Sequence, residues 1–181
     1  AQETADIENI LDQITCNLGM RCHAYWAINV AGRVVRDPWS ISKFPEGWQI
    51  EYLEKKFALI DPVAVNASSH LTPFAWGTKG YLKGLTKQEL QVFSDAKKHG
   101  INYGILSPIH APGSEFAALT IAADSSESES KFLEEYPRRA FTLAALAPYV
   151  HSAIRRLLNA EDQIMAAKLL SAREVQCLSW V

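Results

Sequence analysis

The chain is poor in the features that usually mark a function. Its 181 residues include three cysteines, Cys16, Cys22 and Cys177, an odd number with no metal-ligand spacing. They read as reduced thiols of a cytoplasmic protein, not as a disulfide framework. No run of about 18 apolar residues is present, which argues against a membrane span. The polar, acidic start from Ala1 to Ile7 is unlike a signal peptide. Eighteen Lys and Arg stand against twenty Asp and Glu, for a net charge of −2. With no overall basic field, these residues alone are not expected to hold a phosphate backbone. Catalytic patterns are missing as well. There is no G-x-G-x-x-G or P-loop, no serine in a G-x-S-x-G elbow, and no H-E-x-x-H or C-x-x-C pair. His70, His99, His110 and His151 are scattered, and Asp61 with His70 reads as a helix cap beside a surface histidine. The expectation is no enzyme, no metal and no cofactor.

What the chain does have is apolar and aromatic content. Hydrophobic residues make up 48% of it, enough for one sizeable core. Five Trp, six Tyr and seven Phe are present, many of them between Tyr25 and Tyr81. Such density suits a core and equally a pocket for an amphipathic ligand. The apolar spacing of Ile7, Ile10, Leu11, Ile14 and Leu18 predicts a helix stopped at Gly19. His23 to Val30 reads as a strand, turned by Ala31-Gly32-Arg33 into a second one over Val34 to Ile41. Pro45 suits the first turn of a helix running to about Phe57, with Trp48 and Tyr52 on one face. Asp61-Pro62 opens a short helix to about Ser69, and a short strand is expected near Phe74. Thr86-Lys87-Gln88-Glu89 is a capping box for a helix with Leu90, Val92, Phe93 and Ala96 on its buried side, ended by Gly100. Tyr103 to His110 and Phe116 to Ala122 read as two strands joined through Pro112-Gly113. A helical region from Lys131 to Leu169 follows, in which Pro137 and Pro148 should start or kink helices. The order implies a fold of α/β class and α+β type. It is an α-β-α sandwich with a central antiparallel sheet of about five strands and helices on both faces.

One constellation invites binding. Phe44-Pro45-x-x-Trp48-x-x-x-Tyr52 leads through Phe57 to Asp61-Pro62-Val63, and Trp76 follows fifteen residues after Asp61. Indole donors, a phenol and one carboxylate share an otherwise apolar setting. A buried carboxylate has to be paired or hydrogen-bonded. No Lys or Arg adjoins Asp61 in sequence, so two partners are open: the N–H groups of the helix it caps, or a ligand N–H.

This pattern resembles the autoinducer-binding domain of LuxR-type quorum-sensing regulators. Trp48, Tyr52, Asp61, Pro62 and Trp76 match it, as do Gly100-Ile101-x-x-Gly104, Pro108-Ile109 and Gly113 further on. Leu170 to Val181 is similar to the opening helix of the family's helix-turn-helix domain. The resemblance implies a sensor domain over residues 1–169 and the start of a truncated DNA-binding domain over 170–181. The implied ligand is an N-acyl-homoserine lactone. The resemblance further implies that Trp48 donates to its lactone carbonyl, Asp61 takes its amide N–H, Trp76 packs on its ring and Tyr52 lines the same end. Phe44 stands where many relatives carry a tyrosine whose hydroxyl reaches the amide carbonyl. Thr120, or else Tyr52, is the expected replacement donor. The acyl tail is expected among some of Tyr25, Ile28, Ile41, Phe57, Tyr81, Leu106 and Leu119, each of which taken singly reads first as plain core packing. Gly104 is expected to allow a close approach to its strand. The resemblance also implies a homodimer, with Phe141 to Leu158 offering either that surface or internal packing, and DNA contact only through the absent domain. Two other readings stay open: an orphan sensor of a non-lactone signal, and an acyl amide or lactone hydrolase using Asp61 as a base, which lacks a nucleophile.

Overall fold

The computed structural model describes residues 2–30, 38–112 and 115–169, and the expected turn at Ala31 to Arg33 and the segment 170–181 lie outside them. The chain opens with helix α1 (Gln2–Asn17) and strand β1 (Cys22–Ile28). Gly19 takes φ +64°, the left-handed conformation that ends α1 at the expected place. Of the predicted apolar face, Ile7, Leu11 and Leu18 are buried, whereas Ile10 lies on the exposed flank.

Strand β2 (Trp39–Ser42) is followed by α2 (Glu46–Glu54) and α3 (Pro62–Val65). Helix α2 stops three residues short of Phe57, because Lys56 adopts φ +54° and turns the chain into a 3-10 turn over Phe57–Leu59. That turn places the Phe57 ring 5.8 Å from the Trp48 ring, inside the core. The expected single helix from Pro62 to Ser69 is likewise divided, into α3 and a 3-10 turn over Ala67–Ser69. Strand β3 (Phe74–Trp76) and the short α4 (Lys79–Leu82) come next, the latter not foreseen. Helix α5 (Lys87–Lys98) carries both bonds of its capping box: the Glu89 N–H donates to the Thr86 hydroxyl, and the Thr86 N–H donates to the Glu89 carboxylate. Val92 and Ala96 are buried on it, while Leu90 stays exposed.

Strands β4 (Gly104–His110) and β5 (Phe116–Ala122) lead to α6 (Glu129–Leu169), an unbroken helix of 41 residues. Pro137 and Pro148 lie within it and neither starts it nor interrupts it. Both prolines are on the exposed side, so the carbonyls they leave without an N–H partner can turn to water.

The sheet has the order β2-β1-β5-β4-β3, and every neighbouring pair is antiparallel. Period-two alternation divides its side chains between two layers. One face, with Tyr25, Ile41, Ile105, Leu119 and Ile121, packs against α1 and α6. The other, with Trp76, Leu106, Phe116 and Ala118, faces Trp48 of α2, Val63 of α3 and Val92 and Ala96 of α5. The fold is therefore the expected α-β-α sandwich. Central β5, covered by both layers, is buried at all seven positions.

Arg139 fastens α6 to the end of α1. Its Nε donates to the Leu18 carbonyl at 3.0 Å, and its Nη1 donates to Glu127 at 3.0 Å, both charges being buried. Removing the cation strands a carboxylate and a carbonyl in the core. Arg139→Met is expected to cost about 3–5 kcal/mol of folding stability, measured by urea denaturation.

Candidate ligand pocket

The layer of α2, α3 and α5 does not close fully on the sheet. Between them lies a cavity of about 490 Å³. Its floor follows from strand register. Ser42, Ala24, Thr120, Leu106 and Phe74 are cross-strand partners in one row from β2 to β3. Residues in such a row share a face. All of them except Phe74 line the cavity.

Asp61 is half-buried and is the sole acidic or basic residue in the cavity wall among the described residues. As N-cap of α3 it accepts the Val63 N–H on Oδ1 at 2.9 Å. Its Oδ2 accepts the Tyr52 hydroxyl at 3.0 Å. Burial pushes the Asp61 carboxyl above the ordinary carboxylate range, against the lowering by the Val63 N–H, the Tyr52 hydroxyl and the Ala64 N–H. Two oxygens offer about four acceptor positions. The Val63 N–H, the Tyr52 hydroxyl and the Ala64 N–H take up to three of them, so the carboxylate retains capacity for one further donor.

Trp76 is held from two sides. Its Nε1 donates to Thr120 Oγ1 at 3.0 Å, and Thr120 donates onward to the Ile105 carbonyl at 3.2 Å. Its indole lies across Gly104 so closely that a Cβ there would overlap the ring. The close approach expected at Gly104 is thus made by the Trp76 indole. Trp48, on α2, is buried against Tyr52, Phe57 and His99, and its indole N–H makes no hydrogen bond among the described residues.

Helix α2 is tied to α5 by charge. Lys55 donates to Asp95 at 2.7 Å, and Lys98 and Gln91 donate to the same carboxylate. Glu51 pairs with His99 Nε2 at 2.7 Å. These hydrogen bonds, from Lys55 first, hold the fully covered Asp95 carboxyl well below its ordinary range.

Phe44, Trp48, Tyr52, Asp61, Trp76, Leu106 and Thr120 all line the one cavity. Phe57 stands behind Trp48 and Tyr52, and Tyr81 behind Phe93, with ring separations of 5.8, 5.9 and 5.8 Å. Both belong to the pocket-side core without forming its wall. Of the residues offered for the tail, three take the core-packing alternative instead. Tyr25, Ile41 and Leu119 project to the opposite face and pack under α1 and α6. Leu119 adjoins Thr120 on one strand, and adjacent strand residues cannot share a face. Ile28 packs on the pocket-side core beyond the wall. Sequence reading missed Ala24, Trp26, Ser40, Ser42, Gln49 and Phe93, which line the cavity. The signal that would have found the strand residues is parity: Ala24 pairs with Thr120, and even positions on β1 and β2 follow it.

The described residues contain no group of three or more His, Cys, Asp or Glu placed to hold a metal. No helix among them is long and apolar enough to cross a membrane. The sequence profile of the family described as "Autoinducer binding domain" matches residues 3–154. The chain belongs to that family. Among relatives of this autoinducer-binding domain, it is 23% identical over 178 residues to the transcriptional activator protein VanR of Vibrio anguillarum, covering 97% of the chain and 70% of VanR. It is 29% identical over 147 residues to the activator CarR of Pectobacterium carotovorum subsp. carotovorum, covering 78% of the chain and 59% of CarR. The fold is similar to that of CepR2 from Burkholderia cenocepacia, a LuxR-family transcription factor, with TM-score 0.63 and 19% identity over 87% of this chain and 96% of that one.

Gly104→Ala should push the Trp76 indole off its strand and break its bond to Thr120. The expected loss is roughly 1–3 kcal/mol of stability from overpacking, seen as a lower midpoint in chemical denaturation with the slope unchanged.

Proposed function

We propose that the cavity binds an N-acyl-homoserine lactone and that binding is coupled to folding, homodimer formation and DNA binding by a segment outside the described residues. The observation that carries this reading is Asp61, a lone carboxylate on the wall of an otherwise uncharged aromatic pocket, with acceptor capacity left over. The lactone's amide N–H supplies the missing donor. Trp48 offers an unengaged indole N–H to the lactone carbonyl, and Trp76 offers its ring face to the lactone ring. CepR2, of the same fold, is described as N-acylhomoserine lactone dependent, which supports the same ligand class here.

Neither residue expected to serve the amide carbonyl has a proton to spare in this state. Thr120 donates to the Ile105 carbonyl and Tyr52 to Asp61. In this reading Tyr52 therefore acts by orienting Asp61, and Thr120 by fixing Trp76. Residues 1–169 form the sensor, and 170–181 begin the DNA-binding domain. Phe141 and Tyr149 are exposed on α6 and supply apolar surface to a second copy. The apolar lining of the cavity supports the coupling, because a ligand that binds only the folded chain stabilises it by about 2.7 kcal/mol at a hundredfold excess over Kd.

The experiment is a thermal melt of the purified chain with a panel of N-acyl-homoserine lactones, backed by mass analysis of an organic extract of the protein. A rise in melting temperature with one member, and recovery of that molecule intact, is the expected result. Identical melting with every member would refute the reading. Asp61→Asn should weaken binding about tenfold or more, because the amide can turn a donor toward the ligand N–H.

The pH dependence has a definite sign. A carboxyl raised on folding adds stability while protonated, below the ordinary carboxylate range, and that contribution is lost as pH rises through its folded value. A ligand N–H favours the ionised form. Affinity should therefore increase as pH is raised through the elevated Asp61 value, and the dependence should vanish in Asp61→Asn; isothermal titration at a series of pH values above the ordinary carboxylate range reads both.

A further inference from the structure

The sheet face turned away from the cavity holds a buried polar chain that the ligand pocket does not use. Tyr25 is fully covered on β1, and its Oη lies 2.6 Å from His151 Nδ1 on α6. On the far side of the imidazole, Nε2 lies 3.1 Å from Oε1 of Glu115, the residue just before β5. Glu115 Oε2 lies 3.2 Å from Arg155 Nε, one turn further along α6. His151 and Glu115 are almost fully buried, whereas Arg155 is partly exposed. One imidazole and one carboxylate thus join α6 to two parts of the sheet. Tyr25 stands between Ala24 and Trp26, which line the cavity, so the chain also connects the strand of the cavity floor to the helix behind it.

The neighbours of the ring set its protonation. Burial pushes the Tyr25 phenol far above its ordinary range, so its oxygen keeps a proton. That hydroxyl has no other hydrogen-bond partner among the described residues, so it donates to Nδ1 and the ring's own proton sits on Nε2, toward Glu115. A second proton on the ring reverses the first contact. Nδ1 must then donate to the phenol oxygen, whose hydrogen loses its acceptor in a closed site. Burial, the largest influence, opposes the charged ring; Glu115 favours it and Arg155 opposes it, and the imidazole is held below the ordinary histidine range. The charged groups of the other elements packed nearby are engaged elsewhere. Asp12 of α1 lies by His23 and Lys43, His110 of β4 lies against Phe116 and the His70 carbonyl on the opposite face, and Arg139 of α6 pairs with Glu127.

We propose that Tyr25, His151 and Glu115 form a proton-sensitive latch, which fastens α6 to the sheet while the ring is neutral and lets it go when the ring is protonated. A histidine depressed on folding adds stability that is whole above its ordinary value of about 6.5 and is lost as pH falls toward its folded value. Acid therefore favours release. His23 on β1 is also buried and held low by burial, and it brings a second acid-sensitive proton to the same pH range. The latch does not depend on which ligand fills the cavity.

The test combines an NMR titration of the histidine rings with urea denaturation of the purified chain over about pH 5–8, where ordinary histidines titrate. The His151 ring should stay neutral below the ordinary histidine value in the folded chain. Tyr25→Phe should bring its titration upward, because the neutral ring loses its donor. His151→Gln keeps an acceptor and a donor but takes up no proton. The wild-type unfolding constant should rise by up to about tenfold more per pH unit of acidification than that of His151→Gln. His23→Gln should leave that difference in place. Protection factors of the α6 amides from Leu143 to Leu158, read by hydrogen exchange, should fall with acid in the wild type and hold in His151→Gln. A His151 ring that titrates at or above the ordinary value in the folded chain overturns the latch. So does acid sensitivity of stability and of α6 protection that is the same in the wild type and His151→Gln.

Discussion

A carboxylate facing an apolar cavity must be supplied with donors, and most of the pocket is arranged around supplying them to Asp61. The α3 backbone gives one through Val63, and Tyr52 gives another from α2. Tyr52 can reach only if α2 is held in place, and the buried Asp95, drawing on Lys55 at the C-terminal cap of α2 and Lys98 of α5, does that holding. The chain thus surrounds one costly charge with a series of cheaper ones. The lysines act on Asp95, which is fully covered, and the phenol acts on Asp61, which is half-buried.

The sheet beneath contributes a different kind of order. β5 lies between two layers, so its alternate residues serve two ends. Leu119 and Ile121 build the core against α6, while Ala118 and Thr120 face the pocket side. Small residues on that side, Ala24 and Ala118 among them, leave the space that Trp48 and Trp76 border. Gly104 extends the same logic to its limit, giving up a side chain altogether so that an indole can lie against the strand.

Much of this was legible in the sequence where the signal is local. The Thr86–Glu89 box, the Gly19 and Gly100 stops and the Asp61 cap all depend on residues within a few positions of one another, and all appear as read. The sandwich followed from the order of hairpins and helices. Side-chain direction did not, because parity means nothing until a partner strand and a register are known. The size and apolar character of Tyr25, Ile41 and Leu119 suit a tail pocket and a core alike, and only the register with Thr120 sends them to the core. The bond from Trp76 to Thr120 spans 44 positions and is a product of topology alone. Prolines inside α6 do not start new helices for a related reason: a missing N–H matters less on a face where water can satisfy the carbonyl.

Two sets of residues interleave on the same strands yet answer to separate demands. Replacing Ser42 or Ala24 alters the chamber without touching the contacts that Tyr25 or Ile41 make beneath α1 and α6. A lineage can therefore explore new signals by editing every second position of β1 and β2 while the scaffold's cohesion is inherited unchanged. Sensitivity to a different molecule, on such a plan, is a matter of wallpaper and not of masonry.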